Sequence, residues 1–203
     1  MRQLLPSRPA VVFSLAAAAL VALIAQLPLG AQSSLEVDAL KRLTWRSIGP
    51  ANQAGRISVI VGVPGDPFTF FVAGANGGIF KTTNGGTTFH GVFEDKPVVS
   101  IGAIAIAPSD PMIVYAGTGE ENPRNNASIG DGMYKSTDGG EHFEHIGLPE
   151  SDKIARIVID PKNPDVVYVA VLGREWGPSE ERGLYKTTDG GRSWMPSRWH
   201  SST

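Results

Sequence analysis

Short apolar runs alternate with polar turn residues along most of the chain, and the alternation follows a repeating order. An apolar run such as "IGAIAIA" (101–107) is followed by a Pro-containing cluster and by a second run such as "MIVYAG" (112–117). A third run ends in a Gly-Gly pair, as in "GMYKSTDGG" (132–140), and an aromatic residue begins the fourth. Such clusters indicate tight turns between short strands. Each unit therefore predicts four antiparallel strands, named A to D here.

The unit occurs three times in register. Lys81, Lys135 and Lys186 each begin a Lys-Ser/Thr-Thr-Asp/Asn-Gly-Gly hexapeptide, and they lie about 50 residues apart. Four short antiparallel strands at this period are typical of a β-propeller blade. A jelly roll or an immunoglobulin-like sandwich would not repeat the same sequence motifs at equivalent positions. The small residues of 101–107 suit a crowded innermost strand. We predict an all-β fold, with about three four-stranded antiparallel blades of a β-propeller.

The same pattern predicts the domain boundaries. Residues 1–31 form a signal segment, 32–55 a lead-in, 56–98 the first blade, 99–152 the second, and 153–203 a third that is incomplete at its end. Because propellers typically need four to eight blades, we expect an incomplete, truncated propeller or a longer chain that supplies the remaining blades. Self-association into a closed ring is the alternative, and a truncation without activity of its own is a third possibility.

The first 31 residues have the order of a secretory signal peptide. Arg2 and Arg8 precede an apolar run over 10–27, and small residues follow at Gly30 and Ala31. The run is also long enough to remain as an uncleaved membrane anchor. We expect an exported protein, periplasmic or extracellular, with membrane contact only through an uncleaved signal segment.

Charge and cysteine content exclude several functions. The chain has 18 Lys and Arg against 20 Asp and Glu, and removal of 1–31 takes away bases but no acid. No basic patch is left for a phosphate backbone, so we expect no nucleic-acid partner. Zero cysteines exclude disulfides, thiolate metal sites and a cysteine nucleophile. We assign no cofactor and no metal, because the spacing of the loop acids matches no known calcium loop.

The Gly-Gly segments resemble a known repeat. "STDGGEHF" (136–143) and "TTDGGRSW" (187–194) resemble the Asp-box, or BNR, pattern Ser/Thr-x-Asp-Gly-Gly-x-Ser/Thr-Trp/Phe, with His142 as a departure. "TTNGGTTF" (82–89) has Asn84 in place of the aspartate. Together with "WRSIGPANQAGRI", "GTGEENPRNN" and "LGREWGPSEERG", the chain is similar to the N-terminal part of large exported bacterial proteins described as BNR-repeat, sortilin-like or glycosyl-hydrolase-like.

The resemblance implies a propeller of many blades. Sialidases, xyloglucan-cleaving endoglucanases, sortilin-type receptors and photosystem assembly factors share the box, so it indicates fold far better than function.

The box has a structural explanation that needs no substrate. Gly-Gly supplies positive φ at little steric cost, and the preceding carboxylate or amide can accept hydrogen bonds from the amides of its own turn. Asn84 favours this interpretation, because an amide could not replace a catalytic carboxylate. The predicted structural set is Asn84, Gly85, Gly86, Asp138, Gly139, Gly140, Asp189, Gly190 and Gly191.

Candidate chemistry lies in the B–C loops. Strand parity places the A–B and C–D turns on one face and the B–C and D–A connections on the other, and function usually lies on such variable loops. The B–C loop spans 74–77 in the first unit, 117–132 in the second and 173–183 in the third. The catalytic candidates are Glu120, Glu121 and Asp131, and the candidates for ligand binding are Arg124, Asn125, Arg174, Glu175, Trp176 and Glu180.

Two functional interpretations follow from these loops. The first is a binding or interaction scaffold, for carbohydrate or protein, in which Trp176 offers a stacking surface. The alternative is the N-terminal part of a glycoside hydrolase, xyloglucanase-like or sialidase-like, that uses loop carboxylates as an acid–base pair. The more conservative interpretation of these acids is solvated loop charge, paired with Arg124, Arg174 and Arg182. Arg56 is interpreted as a structural charge at the start of the first inner strand.

Overall fold

The structure is a computed structural model that describes residues 56–122 and 127–197. Sheet 1 contains β1 (Ile57–Gly62), β2 (Phe70–Gly74), β3 (Gly78–Thr82) and β4 (His90–Gly91). Sheet 2 contains β5 (Ile101–Ala107), β6 (Asp110–Thr118), β7 (Met133–Ser136) and β8 (Glu144–Gly147). Sheet 3 contains β9 (Ile154–Ile159), β10 (Val167–Val171), β11 (Gly183–Thr187) and β12 (Met195–Pro196). The predictions for residues 1–31 and 32–55 lie outside the described residues.

Each sheet has four antiparallel strands that pair in chain order. The all-β prediction is therefore confirmed. Over residues 56–122 and 127–197, the structure has no helix long and apolar enough to cross a membrane.

The turn residues place the strands as predicted. The first glycine of each Gly-Gly turn donates its backbone N–H to a carbonyl in the A–B turn or near the start of strand B of the same sheet. The three pairs are Gly85 to Phe68, Gly139 to Met112 and Gly190 to Asp165, at 2.9, 2.8 and 3.0 Å. The A–B and C–D turns thus meet at one end of each sheet, called the turn end. The B–C and D–A connections lie at the opposite end, called the loop end.

Strand D differs in detail from the prediction, because the aromatic residue lies just before the strand. Phe143 is buried and packs edge-on against Phe93, with ring centroids 5.4 Å apart. The Trp194 indole donates a hydrogen bond of 2.8 Å to the carbonyl of Ile146 in sheet 2. These side chains pack against other elements, and strand D starts at the next residue.

Two apolar clusters hold the sheets together. The first joins sheets 1 and 2 and includes Phe71, Val114 and Phe143. The second joins sheets 2 and 3 and includes Tyr115 and Val169. Sheet 2 is consequently covered on both faces, as expected of layers that share a core.

The three A strands lie side by side, with β5 between β1 and β9. At the start of β5 the backbones approach so closely that a Cβ on Gly102 would lie 2.2 Å from the carbonyl oxygen of Ile154. The same atom would lie 2.4 Å from the carbonyl oxygen of Gly119. A side chain at position 102 would force these backbones apart, so the small residues of β5 are needed for the packing of the inner strands.

Candidate functional site

The Gly-Gly turns form closed hydrogen-bond networks at the turn end. Asp138 Oδ1 accepts the backbone N–H groups of Glu141 and His142, both at 3.0 Å, and the hydroxyl of Ser136 at 2.7 Å. The hydroxyl oxygen of Ser136 accepts the N–H of Gly140 at 2.8 Å.

The pattern recurs in the other two turns. Asn84 Oδ1 accepts the N–H of Thr88, and Asp189 Oδ1 accepts the N–H of Ser193. The side-chain oxygen at position 84, 138 or 189 thus accepts hydrogen bonds from the backbone of its own turn.

These hydrogen bonds act on the acidity of the two aspartates. Burial by itself would raise the pKa of Asp138, but the hydrogen bonds from Ser136, His142 and Glu141 outweigh it and hold the pKa well below its usual range. Hydrogen bonds from Ser193 and Thr187 lower the pKa of Asp189 in the same way. Both carboxylates stay ionised and engaged, so the turn end offers no general acid from these residues.

At the loop end, Glu120 is buried, with a side chain only 1% exposed, and it forms an ion pair with Arg56. Its backbone N–H donates to the carbonyl of Ser128 at 2.9 Å. The pair joins the start of sheet 1 to the B–C loop of sheet 2. The interpretation of the loop acids as solvated charges is therefore wrong for Glu120, because packing of two sheets covers it.

Glu121 lies beside a groove of about 270 Å³ that runs along the starts of the inner strands. Ser58, Gly102 and Arg156 are among its lining residues. Burial raises the pKa of Glu121, and the charges of Arg156 and Arg56 oppose that rise. A carboxyl group with a raised pKa in a groove is a candidate proton donor.

Asp131 takes part in a network within sheet 2. Its Oδ2 accepts the Tyr134 hydroxyl at 2.7 Å, and its carbonyl oxygen lies 2.8 Å from His145 Nε2. Burial, followed by the neighbouring Asp131, raises the pKa of Tyr134. These residues border a groove of about 440 Å³ that also contacts Lys96. The Asp131 carboxylate is thus held by a phenol that remains protonated.

The B–C loop of sheet 3 is anchored by charged pairs. Lys153 Nζ lies 2.5 Å from Glu175 Oε2, and both side chains are largely buried. Arg174 approaches Glu150 at 3.6 Å and Asp152 at 3.9 Å. The sequence did not indicate the three partners of this loop, Glu150, Asp152 and Lys153, which lie in the D–A connection before sheet 3. Strand parity places that connection at the same end as the loop, so it is the signal that could have indicated them.

The same loop presents an exposed aromatic side chain and also contributes residues to a groove. Trp176 is 78% exposed, and Arg182 stabilises the loop by donating to the carbonyls of Leu172 and Arg174. A groove of about 450 Å³ is lined by Glu150, Arg174, Pro178, Ser179 and Glu180. The loop end thus combines a fixed backbone, an open indole face and polar groove walls.

The sequence candidates do not converge on one centre. Glu120 is in an ion pair with Arg56, and Glu121 lines the inner groove. Asp131 accepts the Tyr134 hydroxyl, and Glu175 pairs with Lys153. Arg124 and Asn125 lie outside the described residues. Within the described ranges, no group of three His, Asp or Glu side chains is placed to hold a metal ion.

A scan against protein-family models finds no match for the chain, and a search of the curated proteins finds none either. Solved structures do match. An ancestral GH74 enzyme aligns with a TM-score of 0.58 and 22% identity over 75% of this chain. A GH74 enzyme from Niastella koreensis aligns with a TM-score of 0.51 and 24% identity over 68%. The GH74 xyloglucanase from Xanthomonas campestris aligns with a TM-score of 0.52 and 18% identity over 75%.

The chain covers 20%, 20% and 22% of those three structures, which is about a fifth of their length. At these identities the likeness establishes the fold. The three sheets are blades of a β-propeller, and the predicted fold class is confirmed.

Proposed function

We propose that this chain supplies Asp-box blades of an exported β-propeller whose loop end is a binding scaffold for oligosaccharides. The observation that carries the proposal is Trp176, which is 78% exposed in the loop that also contributes Arg174 and Pro178 to the groove of sheet 3. Binding sites commonly combine an aromatic surface with a few fixed polar groups. An indole face can stack on the apolar face of a sugar ring, while Arg174 and Glu180 can bind its hydroxyl groups.

The Asp-box part of the proposal rests on the three turns. Each has Ser or Thr two positions before Asp or Asn, and each uses both side chains to bind turn amides. Export is supported by the apolar run over 10–27 after Arg2 and Arg8. One of the matching structures is a xyloglucanase, so xyloglucan is the first probe for the loop end.

A glycoside hydrolase is the second candidate, favoured by Glu121. Burial raises the pKa of this carboxyl group, as a general acid requires. Such enzymes usually need two carboxyl groups about 5–10 Å apart. Glu120, Asp131 and Glu175 are already engaged by Arg56, Tyr134 and Lys153. The engagement of these acids favours binding over hydrolysis.

The test is a calorimetric titration of the chain with xyloglucan oligosaccharides. We expect Trp176→Ala to weaken binding about tenfold or more, which is the scale of losing an aromatic anchor. Phe68→Ala is the matched control, because Phe68 is also an exposed aromatic residue, 61% exposed, but lies at the turn end. Equal binding by the Trp176→Ala variant and the unaltered chain would contradict the proposed site.

An assay for released reducing ends separates the two candidates. Hydrolysis that is lost in Glu120→Gln, Glu121→Gln or Asp131→Asn would reject the scaffold and favour the hydrolase. Glu181→Gln is the control, because burial also raises the pKa of Glu181, which lies in the B–C loop of sheet 3.

A further inference from the structure

Each sheet has a face from which an aromatic residue of strand B and a lysine of strand C project together, here called the forward face. The cross-strand pairs are Phe71 with Lys81, Tyr115 with Lys135, and Tyr168 with Lys186. The ammonium nitrogen lies 5.8, 5.3 and 5.2 Å from the ring centroid in the three sheets. The forward face is thus a repeated feature with the same cation–aromatic pair.

Two of the three lysines bind the sheet that follows. Lys81 Nζ lies 2.5 Å from Glu141 Oε1, in the Gly-Gly turn of sheet 2. Lys135 Nζ lies 3.3 Å from Asp165 Oδ1, in the A–B turn of sheet 3, and 3.3 Å from the carbonyl oxygen of Gly190. A carboxylate on the following sheet therefore receives the lysine at both interfaces.

The third forward face has the same chemistry but is open. Phe71 and Tyr115 are fully buried by the next sheet, whereas Tyr168 is 36% exposed. Val158 and Leu172 are also exposed on this side, by 52% and 42%. Among the described residues, Lys186 has no carboxylate partner. An apolar surface of this kind usually marks an interaction site.

We propose that the forward face of sheet 3 docks a further four-stranded blade that presents a carboxylate to Lys186 from its Gly-Gly turn or its A–B turn. The docking continues the interface that already joins sheets 1 to 2 and 2 to 3. Tyr168 is then covered, as Phe71 and Tyr115 are.

Charge complementarity distinguishes this partner from a second copy of the chain. A head-to-tail copy would offer sheet 1, which has Thr87 where sheet 2 has Glu141, and Phe68 where sheet 3 has Asp165. Burial of the Lys186 ammonium against that surface would leave the cation unpaired, which is costly.

Asp66 of sheet 1 does not fill this role. Its carboxylate accepts the N–H of Phe68, and Asp110 accepts the N–H of Met112 in the same way. Asp110 is the residue of sheet 2 that corresponds to Asp66, yet Lys81 binds Glu141 and not Asp110. The position of Asp66 and Asp110 is therefore not the one that receives the lysine.

The test extends the full chain by a second copy of residues 148–197 after Thr203, because that copy brings its own Asp165. We expect a urea midpoint at least about 0.5 M higher than that of the 203-residue chain, since more surface is buried cooperatively. Lys186→Ala in the first copy should lower the midpoint of the extended chain and leave the original chain unchanged. A matched extension with Asp165→Asn in the added copy should lose part of the gain.

Rescue tests the charge pairing directly. Lys186→Glu in the first copy should lower the midpoint of the extended chain, and Asp165→Lys in the added copy should restore it. An extended chain that unfolds at the midpoint of the original, or an equal loss from Lys186→Ala in both chains, would overturn the proposal.

Lysine acetylation of the unextended chain is a second measurement that does not depend on the extension. We expect Lys186 to react faster than Lys81 and Lys135, which are held by Glu141 and Asp165. Equal protection of all three lysines would contradict an open face. Protection of Lys186 that appears as the protein concentration rises would show a second copy as the occupant and would also overturn the proposal.

Discussion

At the residue scale, the acid of each Gly-Gly turn is a connector within its own turn. One oxygen of Asp138 accepts two backbone N–H groups and a hydroxyl, and Asn84 provides an equivalent acceptor in sheet 1. The charge strengthens these hydrogen bonds in sheets 2 and 3. The common feature is therefore an acceptor oxygen, and the carboxylate adds a dependence on pH.

This dependence gives a test with Asp138→Asn. The pKa of Asp138 is lower in the folded chain than its unfolded value of about 3.9, so its contribution to stability is complete above that pH and is lost as pH falls below it. Because the Asp138 side chain is 41% exposed, we expect the variant to lose only roughly 1 kcal/mol at pH 7. Urea unfolding at pH 7 and pH 2.5 should show the difference shrinking in acid.

Asn84→Ala is the control for this experiment. It removes the acceptor of sheet 1 without removing a charge, so its destabilisation should be similar at both pH values. A constant effect of Asp138→Asn across the same pH range would show that the charge contributes nothing.

At the element scale, the strands follow local pattern, while their spacing depends on small residues. The apolar run 101–107 predicts β5, and the structure has β5 at Ile101–Ala107. The pattern does not indicate that the start of β5 meets the backbone of β9, because that contact joins residues far apart in sequence. Gly102 has room only for hydrogen at this point.

We expect Gly102→Ala to lower the free energy of unfolding by roughly 1–3 kcal/mol, because the added methyl group meets two backbone carbonyls that cannot move independently. Gly62→Ala is the matched control in an inner strand, since a Cβ there has no neighbour within 4 Å. Its effect should stay within about 0.5 kcal/mol. Urea denaturation of both variants tests the close approach, and equal losses would argue against it.

At the scale of the whole molecule, the sheets differ in how many neighbours cover them. Sheet 2 contributes to both apolar clusters, whereas sheets 1 and 3 each contribute to one. In arrays of stacked units, stability depends on the interfaces between neighbours. The middle sheet should consequently be the most stable part of the described chain.

Hydrogen exchange followed by mass spectrometry tests this ranking. We expect the slowest exchange in β5 and β6, and fast exchange in β4 and β12, which are outer strands of two residues each. Uniform protection of the three sheets would show that they open as one unit.

The candidate site was only partly predictable. Strand parity located the loop end, and the exposed Trp176 was identified from its loop. The environments of Glu120 and Glu121 were not predictable, because they depend on Arg56 and Arg156, which lie far away in the chain. Asp131 differs, because its partner Tyr134 is only three residues away.

The sequence by itself determined the four-strand unit, its threefold repetition and the turn residues, because alternation, Gly-Gly pairs and Asp or Asn acceptors act over a few neighbouring residues. Tertiary structure decided which charges are buried, which glycine is sterically required and which face of a sheet stays open. Glu120 is buried and paired with Arg56 where the start of sheet 1 meets the B–C loop of sheet 2. Tyr168 is exposed, unlike Phe71 and Tyr115, because no sheet packs over it among the described residues. Such properties arise from packing between sheets, where the partners are distant in the chain.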